Sequence, residues 1–328
     1  MKTGSIFSLI TLLILSYTAF SQDYPVISEH ERIKKLEPPS GKMKMVFDTD
    51  TWNEIDDQFA LIYAILSEEQ VNLQAVYAAP FKNKRSKSAG EGMAKSYQEI
   101  IRILKMFNKD PKGFAFEGSP EFLVNLDNPP RSPAALDLIQ KAMKTPVGEP
   151  LYVVAVGAIT NVASAILIEP RIIERIVVVW LGGHAHHWPD TKEFNLWQDA
   201  NAANVIFGSG VPVVQFAVMG GISHLTTTSA EIDLYVKDKG KLGSYLDEIF
   251  DEYVKGHARS KVLWDMSAIG YVIDPSWTPS YLTASPHVAE NGEYTFNKHR
   301  HQIRYVYYIN RDKLFGDFFK KLETYSKK

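Results

Sequence analysis

Five carboxylates, Asp48, Asp50, Glu54, Asp56 and Asp57, fall within ten residues of a 328-residue chain. Like charges held so closely repel and raise one another's pKa values, so a fold keeps them where a cation or a reaction uses them. The run points to a metal centre. Its flanks locate it: Lys44-Met45-Val46-Phe47 reads as a buried strand and residues 59–66 as a buried helix, which puts the acids in a strand-to-helix turn. In an open parallel sheet, ligands bind at that end of the strands.

Four further segments place donors where other strands are expected to end. They are Gly157-Ala158-Ile159-Thr160-Asn161, Leu181-Gly182-Gly183-His184-Ala185-His186-His187, Glu193-Phe194-Asn195 and Trp264-Asp265. Carboxylates, amides and carbonyls give a ligand set made mostly of oxygen, which suits a hard cation. Calcium takes roughly six to eight oxygens, whereas magnesium demands a tight octahedron and zinc prefers nitrogen or sulfur. Ca2+ is the expected ion. Consecutive or alternate histidines in a loop point in different directions, so His184, His186 and His187 make a poor zinc cluster.

Positioning those groups requires an alternating α/β chain. Apolar, β-branched runs predict strands at 44–47, 73–77, 151–156, 176–180 and 211–216, and helical patterns fill 56–66, 92–106, 134–143, 161–167 and 201–207. Nearly continuous hydrophobicity in the strands predicts a mostly parallel central sheet, Rossmann-like, with helices on both faces. Residues 225–268 read as mainly helical. Beyond Pro275 an aromatic, β-prone tail is expected to add edge strands and a last helix. No repeat, low-complexity tract or Gly/Ser linker divides the chain.

Lys2, the apolar stretch 6–15 and Ala19-Phe20-Ser21 before Gln22 match an export signal, too short for a retained membrane anchor of roughly 20 apolar residues. The expected division is therefore a signal at 1–21, a polar leader at 22–42 and a single catalytic domain at 43–328, secreted or periplasmic and free of the membrane after cleavage. The chain has no cysteine, which excludes disulfides, thiol catalysis and a thiolate zinc site. A net charge of −2 with scattered Lys and Arg argues against a nucleic-acid partner.

The motifs together resemble the calcium-dependent nucleoside hydrolases, the inosine/uridine-preferring group. That family opens with Asp-x-Asp-Pro-Gly-x-Asp-Asp, and here Asp48-Thr49-Asp50 and Asp56-Asp57 stand in the corresponding order. The family's Gly-x-x-Thr-Asn loop matches Gly157 through Asn161, its Gly-Gly strand end Gly182-Gly183, its Glu-Phe-Asn residues 193–195, and its late metal-binding Asp is Asp265. The resemblance implies a nucleoside-hydrolase-type fold that cleaves the N-glycosidic bond of ribonucleosides to free base and ribose. It implies that Asp50, Asp57, Asp265 and the backbone carbonyl of Thr160 ligate calcium, and that Asp50 also takes a proton from the attacking water. Asp56, Glu193 and Asn195 are implied to hold the ribose hydroxyls. Relatives form dimers or tetramers, so a homo-oligomer acting on a small nucleoside or riboside is implied as well.

The chain departs from the family pattern at several points. Between Asp50 and Asp56 it carries five residues where the family has three, and the Pro-Gly turn is gone; Asn53 and Glu54 become available to the site. After the second strand the family has Asn, where this chain reads Tyr77-Ala78-Ala79-Pro80-Phe81, and Asn83 is the available substitute. His187 replaces an Asn six residues before Glu193, at the ribose 5′ end. Trp264 precedes the late Asp, where pyrimidine-tolerant relatives have His. An indole stacked on the base favours purines. The imidazoles of 184, 186 and 187 are the candidate side-chain acids. Three other readings compete: a ribosyl-conjugate hydrolase, a riboside-binding protein without activity, and a haloacid-dehalogenase-type phosphatase, whose signature opens with the Asp-x-Asp found at Asp48-Thr49-Asp50.

Overall fold

The computed structural model describes residues 24–256 and 259–328, so the export signal expected at 1–21 lies outside the described residues. In chain order the first half contains α1 (Glu29–Lys35), β1 (Met43–Thr49), α2 (Asp56–Leu66), β2 (Val71–Ala78), α3 (Ala89–Met106), β3 (Ala115–Phe116), α4 (Pro133–Lys144), β4 (Leu151–Ala155), α5 (Thr160–Ile168) and β5 (Ile176–Leu181). There follow α6 (Phe194–Gln198), α7 (Ala200–Gly208), β6 (Val213–Phe216), β7 (Thr226–Thr228), α8 (Ser229–Tyr235), α9 (Gly240–Tyr253), β8 (Ser260–Val262), α10 (Met266–Ile273), β9 (Ser280–Ala284), β10 (Pro286–Val288), β11 (Tyr294–Phe296), β12 (Gln302–Val306) and α11 (Arg311–Ser326).

Eight strands form the main sheet in the order β3-β2-β1-β4-β5-β6-β12-β9. All neighbours pair in parallel except β12 and β9. The order reverses direction between β1 and β4, and such a switch opens a crevice beyond the carboxyl ends of the two strands. Both the acidic turn after β1 and the Gly157 loop after β4 lie there. Alternate residues of β1 point to opposite faces. Phe47 enters the apolar layer beneath α2, α3, α10 and α11, and Val46 the layer beneath α4, α5 and α7. The same alternation aims Asp48 and Thr49 in opposite directions at the end of the strand.

The predicted strands and helices are present, with shifted ends. Pro212 has no N–H for the ladder, so β6 begins at Val213 rather than at 211. The tail differs more: β12 is an inner strand between β6 and β9, and only β9 forms the edge. Residues 24–42, read as a polar leader, carry α1 and dock on the domain. Leu36 is fully buried, the Arg32 guanidinium donates to the carbonyls of Ile27 and Gly210, and Arg304 donates to that of Leu36. The mainly helical stretch 225–268 also contains the short antiparallel pair β7 and β8. None of the described helices is long and apolar enough to cross a membrane.

Candidate active site

Strand and helix ends converge on one cleft of about 290 Å³ at the sheet's switch point. Its floor holds Asp50, Asp56, Asp57 and Asp265, all at most 5% exposed. Asp56 and Asp57 open α2, and Asp265 stands immediately before α10. No side chain caps α2, α5 or α10. Free N–H groups and the positive ends of the helix dipoles at these starts favour negative charge nearby. A larger hollow of about 630 Å³, lined by Lys320, Lys321, Glu68 and Glu69 among others, lies away from these ends and gathers no buried acids. Chemistry, rather than size, marks the site.

Ligand oxygens of Asp56, Asp57 and Asp265 lie within 4.8 Å of one another. Burial, followed by the neighbouring Asp56, pushes the Asp57 carboxyl up to about 7. Asp265 is raised well above the carboxylate range by burial and then by Asp56, Asp57 and Asp50, and Asp50 by burial and then Asp57. Such a group cannot hold all its charges without a cation. Oδ2 of Asp50 is buried and has no hydrogen-bond partner among the described residues, an orphan that an additional positive ligand would satisfy. The donors are all oxygen, so the residues present fit a hard divalent ion.

The surroundings are rigid. Thr49 donates to Asp57 Oδ1 at 2.5 Å. Gly157 lies so close to Asp50 that a Cβ there would sit 3.1 Å from the carboxyl carbon and press on the acid. Asn195 Nδ2 donates to the carbonyls of Val156 at 2.8 Å and Leu181 at 3.1 Å, stapling the ends of two chain segments that leave β4 and β5. Glu193 caps α6, accepting from the N–H groups of Asn195, Leu196 and Gly183. Burial raises its carboxyl and those three bonds oppose the shift.

All the predicted site residues except Thr160 and His187 line this cleft. Thr160 is the first residue of α5 and fully buried, with its hydroxyl donating to Asp199 Oδ2 at 2.6 Å. His187 requires a correction. A turn closed by Trp188 N–H on the Ala185 carbonyl leaves it exposed beside Gly220, and His184 lines the cleft instead. The histidines do diverge: His186 turns away to Gln215 at 3.0 Å and to the ring of Tyr305. Burial lowers the pKa of both His184 and His186.

Asn53 and Asn83 meet in the cleft wall, with Asn83 Nδ2 donating to Asn53 Oδ1 at 2.6 Å. Arg85 donates to the carbonyls of Trp52, Asn53 and Glu54 at 3.1–3.3 Å. The loop after β2 thus clamps the two-residue insertion. Sequence reasoning missed two residues, Asp199 and Lys261, and left the role of Asn161 in its loop unstated. Asp199 fixes Thr160, Leu123 N–H and Ala202 N–H, and its place just before a helix was a readable capping signal. Asn161 Nδ2 donates to Asp48 Oδ1 at 2.8 Å beneath the site. Lys261, buried on β8, reaches Asp56 Oδ1 at 3.3 Å and Glu54. No local pattern marked it.

A mostly parallel α/β sheet with a buried acidic centre at its switch point defines a ligand-binding scaffold with a candidate cation site. Comparison makes it specific: the profile of the inosine-uridine preferring nucleoside hydrolases matches residues 45–316, and the chain belongs to that family of N-glycosyl hydrolases. It is 29% identical over 166 residues to the inosine-uridine preferring nucleoside hydrolase of Leishmania major, a match covering 48% of this chain and 51%, about half, of that protein. Over 263 residues it is 24% identical to a pyrimidine-specific ribonucleoside hydrolase of Citrobacter koseri, covering 71% and 80% of the two chains. Among solved structures, a plant nucleoside hydrolase superposes with a TM-score of 0.68 at 20% identity. A purine-preferring ribonucleoside hydrolase from Gardnerella vaginalis superposes with 0.67 at 20% identity, and each comparison covers 87% of this chain and 99% of the other. These two show the fold. The family match sets the phosphatase reading aside, and geometry agrees: Asp48, its required nucleophile, is fully buried against Asn161 and does not line the cleft.

Proposed function

We propose that this protein hydrolyses the N-glycosidic bond of ribonucleosides at a divalent-cation centre, with Ca2+ the ion and purine nucleosides preferred. The observation that carries the reading is the meeting of Asp50, Asp57 and Asp265 at one cleft floor with Asp50 Oδ2 unpartnered. Asp50, Asp57, Asp265 and the Thr160 carbonyl are the residues that would hold the ion. When bound, a divalent cation orients water and sugar and lowers the pKa of the water.

The chain's own groups supply the rest. Asp50, at the cleft floor, would also take the proton of the attacking water. Glycosidic cleavage builds positive charge on the sugar ring, and fixed carboxylates at the floor stabilise it. Asp56, Glu193 and Asn195 hold the ribose hydroxyls, with Glu193 and Asn195 pinned by the backbone bonds above. A sugar lacking a hydroxyl leaves such buried groups unpaired and is rejected. Trp264 lines the cleft and offers a stacking face, which favours a purine. Among the described residues His184 is the one imidazole in the cleft wall, and its lowered pKa favours the neutral form at pH 7, so stacking carries more of the leaving-group activation.

Incubating the protein with inosine, adenosine, guanosine and uridine, with and without chelator, and scoring free base by chromatography tests this reading. Base should appear fastest from the purine nucleosides and vanish with chelator. Faster uridine cleavage removes the purine preference, chelator-indifferent turnover removes the metal, and ribose binding without any base release makes the protein a riboside binder. Export to the periplasm or medium, read from residues 1–21, belongs to the same proposal and is checked by cell fractionation.

A further inference from the structure

One cation of the protein itself already sits in the acidic cluster. Lys261 is 8% exposed, and its Nζ lies 3.3 Å from Asp56 Oδ1 and in contact with Glu54 Oε2. Tyr253 completes the cage: its ring lies 5.4 Å from Nζ and its hydroxyl donates to Glu54 Oε1 at 2.7 Å. Antiparallel pairing of Lys261 with Thr227 fixes the backbone beneath it. Glu54 comes from the five-residue turn between Asp50 and Asp56, so the insertion supplies the second carboxylate that retains the lysine.

A buried ammonium is tolerated only where its pairing is good, and here two carboxylates and an aromatic face share it. Burial alone would lower its pKa; Asp56 and Glu54 outweigh that and hold it above its ordinary value. The consequence reaches the floor. Asp56 is one of three acids whose oxygens lie within 4.8 Å, so proximity alone would let it join a cation shell with Asp57 and Asp265. Of the four floor carboxylates, Asp56 alone forms an ion pair with a protein cation among the described residues.

We propose that Lys261, held by Glu54, is a positioning residue that divides the acidic cluster, reserving Asp56 for the sugar hydroxyls and leaving Asp50, Asp57 and Asp265 to the divalent ion. This deepens the nucleoside hydrolase reading and rests on it for the sugar. The two halves of the statement have separate readouts. Calcium affinity reports the division of the acids without turnover, and the ratio of kcat/KM for inosine to that for 2′-deoxyinosine reports the aim of Asp56.

The test uses the mature chain and three variants, Lys261→Met, Lys261→Arg and Glu54→Gln. Freed from its partner, Asp56 in Lys261→Met should tighten calcium binding by calorimetry and cut the inosine preference, each by about tenfold, the scale on which supporting contacts act at metal sites. Lys261→Arg should restore both values. Glu54→Gln keeps the lysine and should move both in the same direction by less, and it carries the test if Lys261→Met does not fold. Unchanged affinity and preference, or weaker calcium binding together with equal losses on both substrates, overturns the proposal. A wild-type protein that binds calcium but cleaves no nucleoside overturns the hydrolase reading instead, while the calcium titrations still decide how the acids are divided.

Discussion

At the floor of the cleft, Asp50, Asp57 and Asn195 are fixed by strand ends, helix starts and backbone hydrogen bonds. At its lip, Trp52, Asn53 and Glu54 occupy a turn held by side chains from distant parts of the chain: Asn83 and Arg85 in the loop after β2, Tyr253 at the end of α9 and Lys261 on β8. The floor keeps the family motifs in order, and the lip is where the chain departs from them. The difference has a physical cause. Floor geometry is inherited from the sheet, so a change there disturbs many bonds, whereas a lip held by a few polar contacts can gain two residues without disturbing the core.

Asp50→Asn should break the floor most completely. It keeps the shape but removes one charge and the group proposed to accept the water's proton, so kcat should fall about 10²- to 10⁴-fold in steady-state assays with the best nucleoside. A loss under tenfold would place the proton elsewhere.

Next in size is the response of the floor to pH and metal. Burial and neighbouring acids hold Asp57 at about 7 and raise Asp50 and Asp265 well above the carboxylate range. An unfolded Asp titrates near about 3.9, so between that value and about 7 the folded chain binds more protons than the unfolded one. This contribution to metal-free stability is complete below the unfolded value and is lost as pH rises through the folded one. Calcium competes with those protons and should restore more at pH 8 than at pH 5, reaching about 2.7 kcal/mol at 100 times its Kd. Thermal melts at the two pH values, with and without calcium, read the sign. A larger calcium gain at the acidic end contradicts it.

Smallest is the lip. Asn83→Ala deletes the bond to Asn53 and leaves the floor untouched, so KM should rise about fivefold, equivalent to about 1 kcal/mol, with kcat nearly constant. Should this variant lose as much kcat as Asp50→Asn, the distinction between floor and lip collapses.

Much of the floor was legible because its residues announce themselves locally. The acidic turn follows a strand, Gly157 through Asn161 a second, and the Glu193-Phe194-Asn195 run carries its own helix cap. The predicted helix at 56–66 coincides with α2, since its apolar run and the acids at its start agree. Other features were silent. Lys261 sits in a three-residue strand too short to show a period, and β12 is an inner strand although it lies near the chain's end. His187 looked like the heir to an Asn by spacing alone, yet one turn at Ala185 to Trp188 sends it outward and gives His184 the cleft wall.

The sequence by itself determined the layered α/β class, the oxygen-rich donor set and the family, because hydrophobic period, side-chain chemistry and motif order are local properties of the chain. Only the tertiary structure decided which acid meets which cation. The pairing of Asp56 with Lys261, more than 200 positions away, and the seating of Asn83 against Asn53 depend on the path of the chain through space, which no spacing along it records.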